Sequence, residues 1–387
     1  MILKSLRFIL RFLLILISML MLLISLPYPT AYVYDFEEPV PFSGRNWHNP
    51  YQDTTGSWQK SVFHAHSKAW GGLTNGKLSA EEFTAHYDSL GYDVIGLSNY
   101  HLITKHIDDS EVFIPIYEHG YNVMKRHQGA IGAKEVVWKD FLLIQTLHHK
   151  QSMLQFLRPT TEFIAINHPK FVNGYEPEDF KVLGGYDFIE VLNHYRISDL
   201  HWDYALANGK KVWGIGNDDS HNQWKENESG RYWTMVRAAS NKRADIFASL
   251  RAGKMYSVSG SKAKLTIHPT RIEVRNDSLF VETDTIANVF HFITAPGNIA
   301  DSVTNSNSAA YALKQNDTYV RIVIKNDANT LYLNPVIRYD EVIPDPPRIP
   351  EVNSSLTWLY RFFWVLVYAA IIWVIYRRFF KKRSEVA

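Results

Sequence analysis

The sequence predicts an α/β fold: a seven-stranded β/α barrel, a small antiparallel β domain behind it, and an apolar membrane-crossing helix at each end. Three observations lead there. Between residues 57 and 260, short apolar runs alternate with amphipathic stretches, the pattern of strands and helices taking turns around a parallel sheet. After Gly260 the period changes to two, as expected of antiparallel strands. Both ends carry long apolar stretches with basic residues on their outer sides. At 387 residues and 46% hydrophobic, the chain can bury a large core in more than one domain.

Residues 1–32 begin with Lys4, Arg7 and Arg11 and run into an apolar segment, Phe12–Leu26. A basic start followed by an apolar run fits an uncleaved signal anchor or a cleaved signal peptide. The barrel region, 57–260, offers strands at Ser61–His66, Tyr92–Asn99, Ala130–Val137, Phe141–Leu147, Phe163–Asn167, Phe188–Asn193 and Val212–Gly216. They are continuous apolar runs, the mark of strands covered on both faces. Helices are predicted between them. "SAEEFTAHYDSLG" opens on Ser79 with Glu82 three residues on, a capping box, and stops at Gly91. "EPEDFKVLGG", "ISDLHWDYALANGK" and "NKRADIFASLRAGK" have comparable starts and stops. Seven or so strands favour a barrel over an open sheet. Residues 262–342 read as a β-sandwich-like domain, and 343–355 as a stiff proline-rich linker. Residues 356–377 form the second apolar helix, and 378–387 a basic cytoplasmic tail. With the basic clusters at the two extremes, both termini face the cytoplasm and the middle of the chain lies outside it.

The net charge of +2 gives no nucleic-acid-binding signature. The absence of cysteine excludes disulfides and thiolate metal sites, so any metal takes histidine and carboxylate ligands. "FHAHS" places His64 and His66 two apart, pointing the same way from one strand end. "GIGNDDSH" places Asp219 and His221 with the same spacing after the last strand. In a closed barrel the first and last strands are neighbours, so these four side chains converge. "GAKEVVW" presents Glu135, "INHPK" presents His168, and "GLSNYH" presents Asn99 and His101 at equivalent strand ends.

These stretches resemble the polymerase-and-histidinol-phosphatase (PHP) superfamily of metal-dependent phosphoesterases. The resemblance rests on "WQKSVFHAHS", "LSAEEFTAHYDSLGYDVIGLSNYH", "GAKEVV", "INHP", "ALANGKKVWGIGNDDSH" and "LRAGKMYSVSG", in the superfamily's order over residues 57–260. It implies a distorted seven-stranded barrel holding two or three divalent ions (zinc, manganese or iron) that hydrolyses phosphate esters. It implies His64, His66, His101, Glu135, His168, Asp219 and His221 as metal ligands. Glu135 would bridge two ions, and Glu135 and Asp219 would be catalytic. Two places depart from the pattern. Ser98-Asn99-Tyr100 stands where Thr-Asp-His is usual, so either His101 enters by a bulge or Tyr100 replaces the ligand. Asp140 stands where a histidine often follows the glutamate, as a ligand or a turn residue. His148 and His149 are expected at the surface. Lys170, Arg196 and Arg231 are candidates for gripping substrate phosphate. Of Trp70, Trp138, Trp202, Trp213, Trp224 and Trp233, half or more are expected in the core. The function implied is a membrane-anchored hydrolase of a phosphorylated small molecule or lipid. The competing readings are a metal-binding, non-catalytic module of the cell envelope, or hydrolysis of an amide or cyclic ester.

Overall fold

The computed structural model describes residues 2–379. Residues 380–387 of the predicted tail, and the side chains of Lys4, Arg7 and Arg11, lie outside the described residues. The fold is mixed α/β, with six α-helices and two main sheets among the described residues. One sheet has five strands in the order Ile116–His119, Gln128–Ile131, Phe163–Ile166, Phe188–Asn193 and Trp213–Asn217. The last three run parallel, and the first two are antiparallel to their neighbours. The other sheet has eleven strands. In it Ser57–Val62 lies between Val94–Ile95 and Tyr232–Ala238, the first parallel to it and the second antiparallel.

The predicted barrel is therefore corrected: among the described residues, no sheet closes on itself. The reason lies at the two seams. Tyr232–Ala238 comes in antiparallel beside Ser57–Val62 and takes the place that Trp213–Asn217 would need. At that seam side-chain hydroxyls stand in for a ladder. The Thr234 hydroxyl accepts from the Gly216 amide (3.0 Å) and donates to the Gly216 carbonyl (2.9 Å). At the other seam one parallel bridge, Tyr100 to Glu118, joins the sheets. The sheets still share a core, in which Phe63, Val94 and Val236 from one meet Ile116, Phe163 and Ile215 from the other. Each such side chain stabilises the fold by roughly 1.5–3 kcal/mol on leaving water.

The helices follow their sequence signals unevenly. The helix Ala80–Ser89 carries the predicted capping box: the Glu82 amide donates to Ser79 Oγ (3.2 Å) and the Ser79 amide to Glu82 Oε2 (2.8 Å). Asp199–Ala207 and Arg243–Ala252 form as expected, the latter ending on Gly253 at φ 74°. "EPEDFKVLGG" winds only a 3-10 segment, Pro177–Lys181. The predicted strand at 141–147 is instead a turn leading into the helix Leu147–Leu157.

The strands after Pro269 are antiparallel, as their alternation predicts, and they continue the eleven-stranded sheet through Thr330–Leu333, which pairs with Met255–Ser259. A buried ion pair fastens this region to the helix Asp199–Ala207. Arg321 Nε and Nη2 donate to the two carboxylate oxygens of Asp203 at 2.7 and 2.5 Å, and the Tyr319 hydroxyl adds a third bond at 2.9 Å.

Two apolar helices, Ile2–Ser25 and Ser354–Phe379, stand at the ends and are long enough to cross a membrane. Their large side chains, such as Leu23 and Val365, are about 60% exposed, so the protein itself does not cover them. The helices meet at their inner ends, where Tyr368 donates to the Ser25 carbonyl (3.0 Å) and Tyr360 to the Tyr28 carbonyl (3.1 Å). Beside them Tyr34–Asp35 pairs antiparallel with Glu351–Val352.

Candidate metal centre

Four segments remote in sequence bring buried carboxylates and imidazoles together. His64 and His66 leave the end of Ser57–Val62 in extended chain, with Ala65 fully buried between them. Glu118 lies in Ile116–His119, and His127 immediately precedes the antiparallel partner strand. The turn between them needs glycine. Gly120 has φ 127°, and a Cβ there would fall 2.7 Å from His127 Cδ2. His168 and Asp219 follow the strands Phe163–Ile166 and Trp213–Asn217. Both are non-glycine residues at positive φ (29° and 47°). Strain of this kind persists only where the surroundings impose it. Here the Asp219 amide donates to the His64 carbonyl (2.9 Å) and the His168 amide to Glu190 Oε2 (2.8 Å).

The geometry resolves into two groups sharing one residue. In the first, His64 Nε2 lies 3.1 Å from Glu118 Oε1 and 3.2 Å from Asp219 Oδ1. His66 Nε2 lies 3.2 Å from Glu118 Oε2 and 3.3 Å from Asp219 Oδ1. In the second, His127 Nδ1 and His168 Nε2 lie 3.0 and 3.2 Å from Glu118 Oε1. His221 Nε2 sits 3.4 Å from Asp219 Oδ1, its ring stacked on His66 at 4.3 Å. Ligands about 2.1 Å from a tetrahedral ion are about 3.4 Å from one another, so this spacing fits a cation between them.

The electrostatics fit as well. Glu118 Oε2 and Asp219 Oδ1 are buried without a hydrogen-bond donor, a costly state for an anion unless a cation completes it. Among the described residues, no lysine or arginine is bonded to Glu118, Asp219 or Glu190. Burial raises the Glu118 and Asp219 carboxyls, but His64 and the surrounding imidazoles outweigh it and hold both well below the usual carboxylate range. Burial likewise lowers His64, yet Asp219, Glu118 and Glu190 drive it well above an ordinary histidine. The cluster is thus a sink for positive charge.

Behind it, Glu190 orients the ligands. Its Oε1 bonds His64 Nδ1 at 2.9 Å, which leaves Nε2 to face the cluster. Asn193 Nδ2 donates to both Glu190 Oε2 (2.8 Å) and Asp219 Oδ2 (3.2 Å).

The structure brings His64, His66, His168, Asp219 and His221 together and leaves two expected ligands out. Glu135 is exposed in a loop, and the shared carboxylate is Glu118. Both follow apolar runs, but Glu118 alone sits in a strand facing the other sheet. The clue was a lone acid in "FIPIYEH", otherwise apolar and aromatic. His127, Glu118 and Glu190 were all missed. His101 is the second correction. Its Nδ1 donates to the Val137 carbonyl (3.1 Å) and its Nε2 accepts from the Gly120 amide (3.0 Å), so no ring nitrogen is left for a metal. Burial, then His119, push its pKa down to about 3. Tyr100 instead stacks on His66 at 4.6 Å. Burial, then Glu118 and Asp219, push its phenol well up.

Asn99 binds Ser67 and Thr104, and Asp140 accepts from Tyr121, Phe141 and Gln145, so both shape turns. His149 is buried and bonds the Tyr360 hydroxyl (3.1 Å), while His148 accepts from the Tyr34 amide. Neither is the surface residue expected. Lys170, Arg196 and Arg231 are exposed and bond none of the cluster. Trp202, Trp213 and Trp233 are in the core; Trp70, Trp138 and Trp224 are exposed.

No family model and no curated protein matches the chain. One solved structure is similar: a two-domain protein containing a predicted PHP-like metal-dependent phosphoesterase, from Bacteroides vulgatus ATCC 8482. The two are 14% identical, with a TM-score of 0.42 over 78% of this chain and 100% of the other.

Proposed function

We propose that this chain is a membrane-anchored, metal-dependent phosphoester hydrolase. The observation that supports it is Glu118, whose Oε1 meets His64, His127 and His168 and whose Oε2 meets His66, so that it belongs both to the group with His64, His66 and Asp219 and to the group with His127 and His168. One carboxylate shared between two candidate ion positions is the arrangement of two-metal sites. His64, His66, Glu118 and Asp219 would hold one ion; Glu118, His127 and His168 the second; His221 is a further donor beside Asp219. Zinc, manganese or iron suits this donor set. Such ions acidify water and neutralise charge on phosphoryl oxygens. Glu190 fixes the His64 tautomer, Asn193 orients Asp219, and burial of the whole set excludes bulk water. The substrate is a phosphorylated small molecule or a lipid headgroup, and the two apolar helices would keep the site beside a membrane, outside the cytoplasm.

A second reading has its own observation. His101 is committed to backbone and Tyr100 occupies the place of a usual ligand, which favours a metal-binding module without turnover.

The full-length chain in detergent separates the two. Bound metal is measured by elemental analysis, and hydrolysis with bis(p-nitrophenyl) phosphate and p-nitrophenyl phosphate. The expected result is about two bound ions and ester hydrolysis, reduced at least about 10³-fold in Glu118→Gln and Asp219→Ala and unchanged in Glu135→Gln. Bound metal with no hydrolysis of either ester supports the module. Hydrolysis indifferent to Glu118→Gln and Asp219→Ala sinks the site.

A further inference from the structure

A cleft of about 580 Å³ lies apart from the metal centre, where the segment 45–58 and Arg237 meet the antiparallel strand Pro269–Arg275 and its turn. Two indoles line it: Trp47, with the Arg338 guanidinium over one face at 4.4 Å, and Trp58, T-shaped against Tyr256 at 4.8 Å. The Arg237 guanidinium lies over Trp58, 5.5 Å from the ring centroid, and among the described residues no hydrogen bond from its side chain is formed. Its Nε is buried without an acceptor, a state that costs free energy until one is supplied.

The other charges in the lining are unevenly matched. Arg271 is neutralised by Glu273 and Glu282. Arg45 and Arg275 have no carboxylate partner among the described residues, and the remaining acid is Asp277. Three guanidiniums without a carboxylate thus face one free carboxylate. Guanidinium forks match planar or tetrahedral oxyanions, and their weak hydration makes them good donors in a partly dry cleft. Gln52, Thr54 and Asn276 add neutral hydrogen-bonding groups along the same walls.

From this juxtaposition we infer that the cleft binds an acidic saccharide. The indoles pack against sugar rings, the amides and hydroxyls meet sugar hydroxyls, and Arg45, Arg237 and Arg275 grip a carboxylate or phosphate on the sugar. A nucleic-acid strand fits less well, because the cationic groups are confined to one cleft and form no continuous stripe. The site is independent of the proposed hydrolysis and shares no residue with the metal centre.

The test uses the full-length chain in detergent, with calorimetry and tryptophan fluorescence as readouts. The probes are a tetrasaccharide of alternating glucuronate and N-acetylglucosamine, its carboxyl-reduced counterpart, inorganic phosphate and adenosine monophosphate. The acidic tetrasaccharide is expected to bind and perturb tryptophan emission, at least tenfold more tightly than the reduced form. Arg237→Ala and Trp58→Ala each weaken it at least tenfold, Asp277→Asn tightens it, and Glu118→Gln leaves it unchanged. Should Arg237→Ala fail to fold by circular dichroism, the exposed Arg275→Ala carries the same expectation. Absence of binding overturns the inference, as does equal binding of the reduced form. Tighter binding of phosphate or adenosine monophosphate, or full affinity in both arginine variants, overturns it too.

Discussion

Two buried charge clusters in this protein are built from similar groups and are finished differently. Around Asp203, each carboxylate oxygen meets a guanidinium donor, and Tyr319 adds a further bond. Around Glu118 and Asp219, carboxylates crowd against imidazoles, and one oxygen of each has no donor at all. A set in which every carboxylate oxygen is bonded, and only one donor, Arg321 Nη1, is left over, fastens one part of a chain to another. An open set, held in strained backbone and backed by Glu190, offers a cation unfilled carboxylate oxygens. Burial and charge alone do not tell the two apart; the atom left over does, a donor beside Asp203 and carboxylate oxygens at Glu118 and Asp219.

The largest break in this contrast is Asp203→Ala. It leaves Arg321 buried and unpaired, and is expected to lower unfolding free energy by about 3–5 kcal/mol. Denaturant unfolding measures this, and metal content of the folded fraction should be unchanged. A matching loss of bound metal would show that the two clusters are one unit. Next comes Glu190→Gln. It keeps the shape but weakens the bond that orients His64, and should reduce metal affinity about 10–100-fold, read by competition with a chromogenic chelator. Stability in excess chelator should change far less, since no ligand is removed.

The smallest effect sharpens the comparison at a third buried group. His149, packed between Tyr28, Phe141 and Tyr360, has its pKa lowered to about 4 by burial, with His148 adding to it. Its folded value lies below that of the unfolded chain, so the folded state favours the neutral ring. The stability this brings is present above about pH 6.5 and is lost as pH falls toward 4. The cost should be on the order of 1–3 kcal/mol. His149→Asn should flatten the fall in thermal midpoint between pH 6.5 and 4. An unchanged slope would place the acid sensitivity elsewhere.

Much of the site was legible because its geometry is local. Strand alternation aims His64 and His66 together whatever surrounds them, and the Ser79–Glu82 box marks a helix start in any fold. Glu118 was hidden because what brings it inward is a single bridge to Tyr100 at the seam between two sheets. Glu135, in a similar apolar run, ends exposed since its strand stops at Ile131. His101 looked equivalent to the other strand-end histidines; only the Gly120 turn and the Val137 carbonyl, both brought in from elsewhere, show its nitrogens to be taken. Barrel closure failed for a related reason. The apolar runs in the sequence show neither the strand Ile116–His119 nor that Tyr232–Ala238 enters antiparallel and occupies the closing edge.

The clasp between the two end helices has a mechanical consequence. Tyr34–Asp35 is zipped to Glu351–Val352, the Asn353 amide bonds the Val33 carbonyl, and the Val33 amide bonds Thr357 Oγ1. A force that parts the two helices loads this short fastening. The residues that carry that load are separate from those around Glu118.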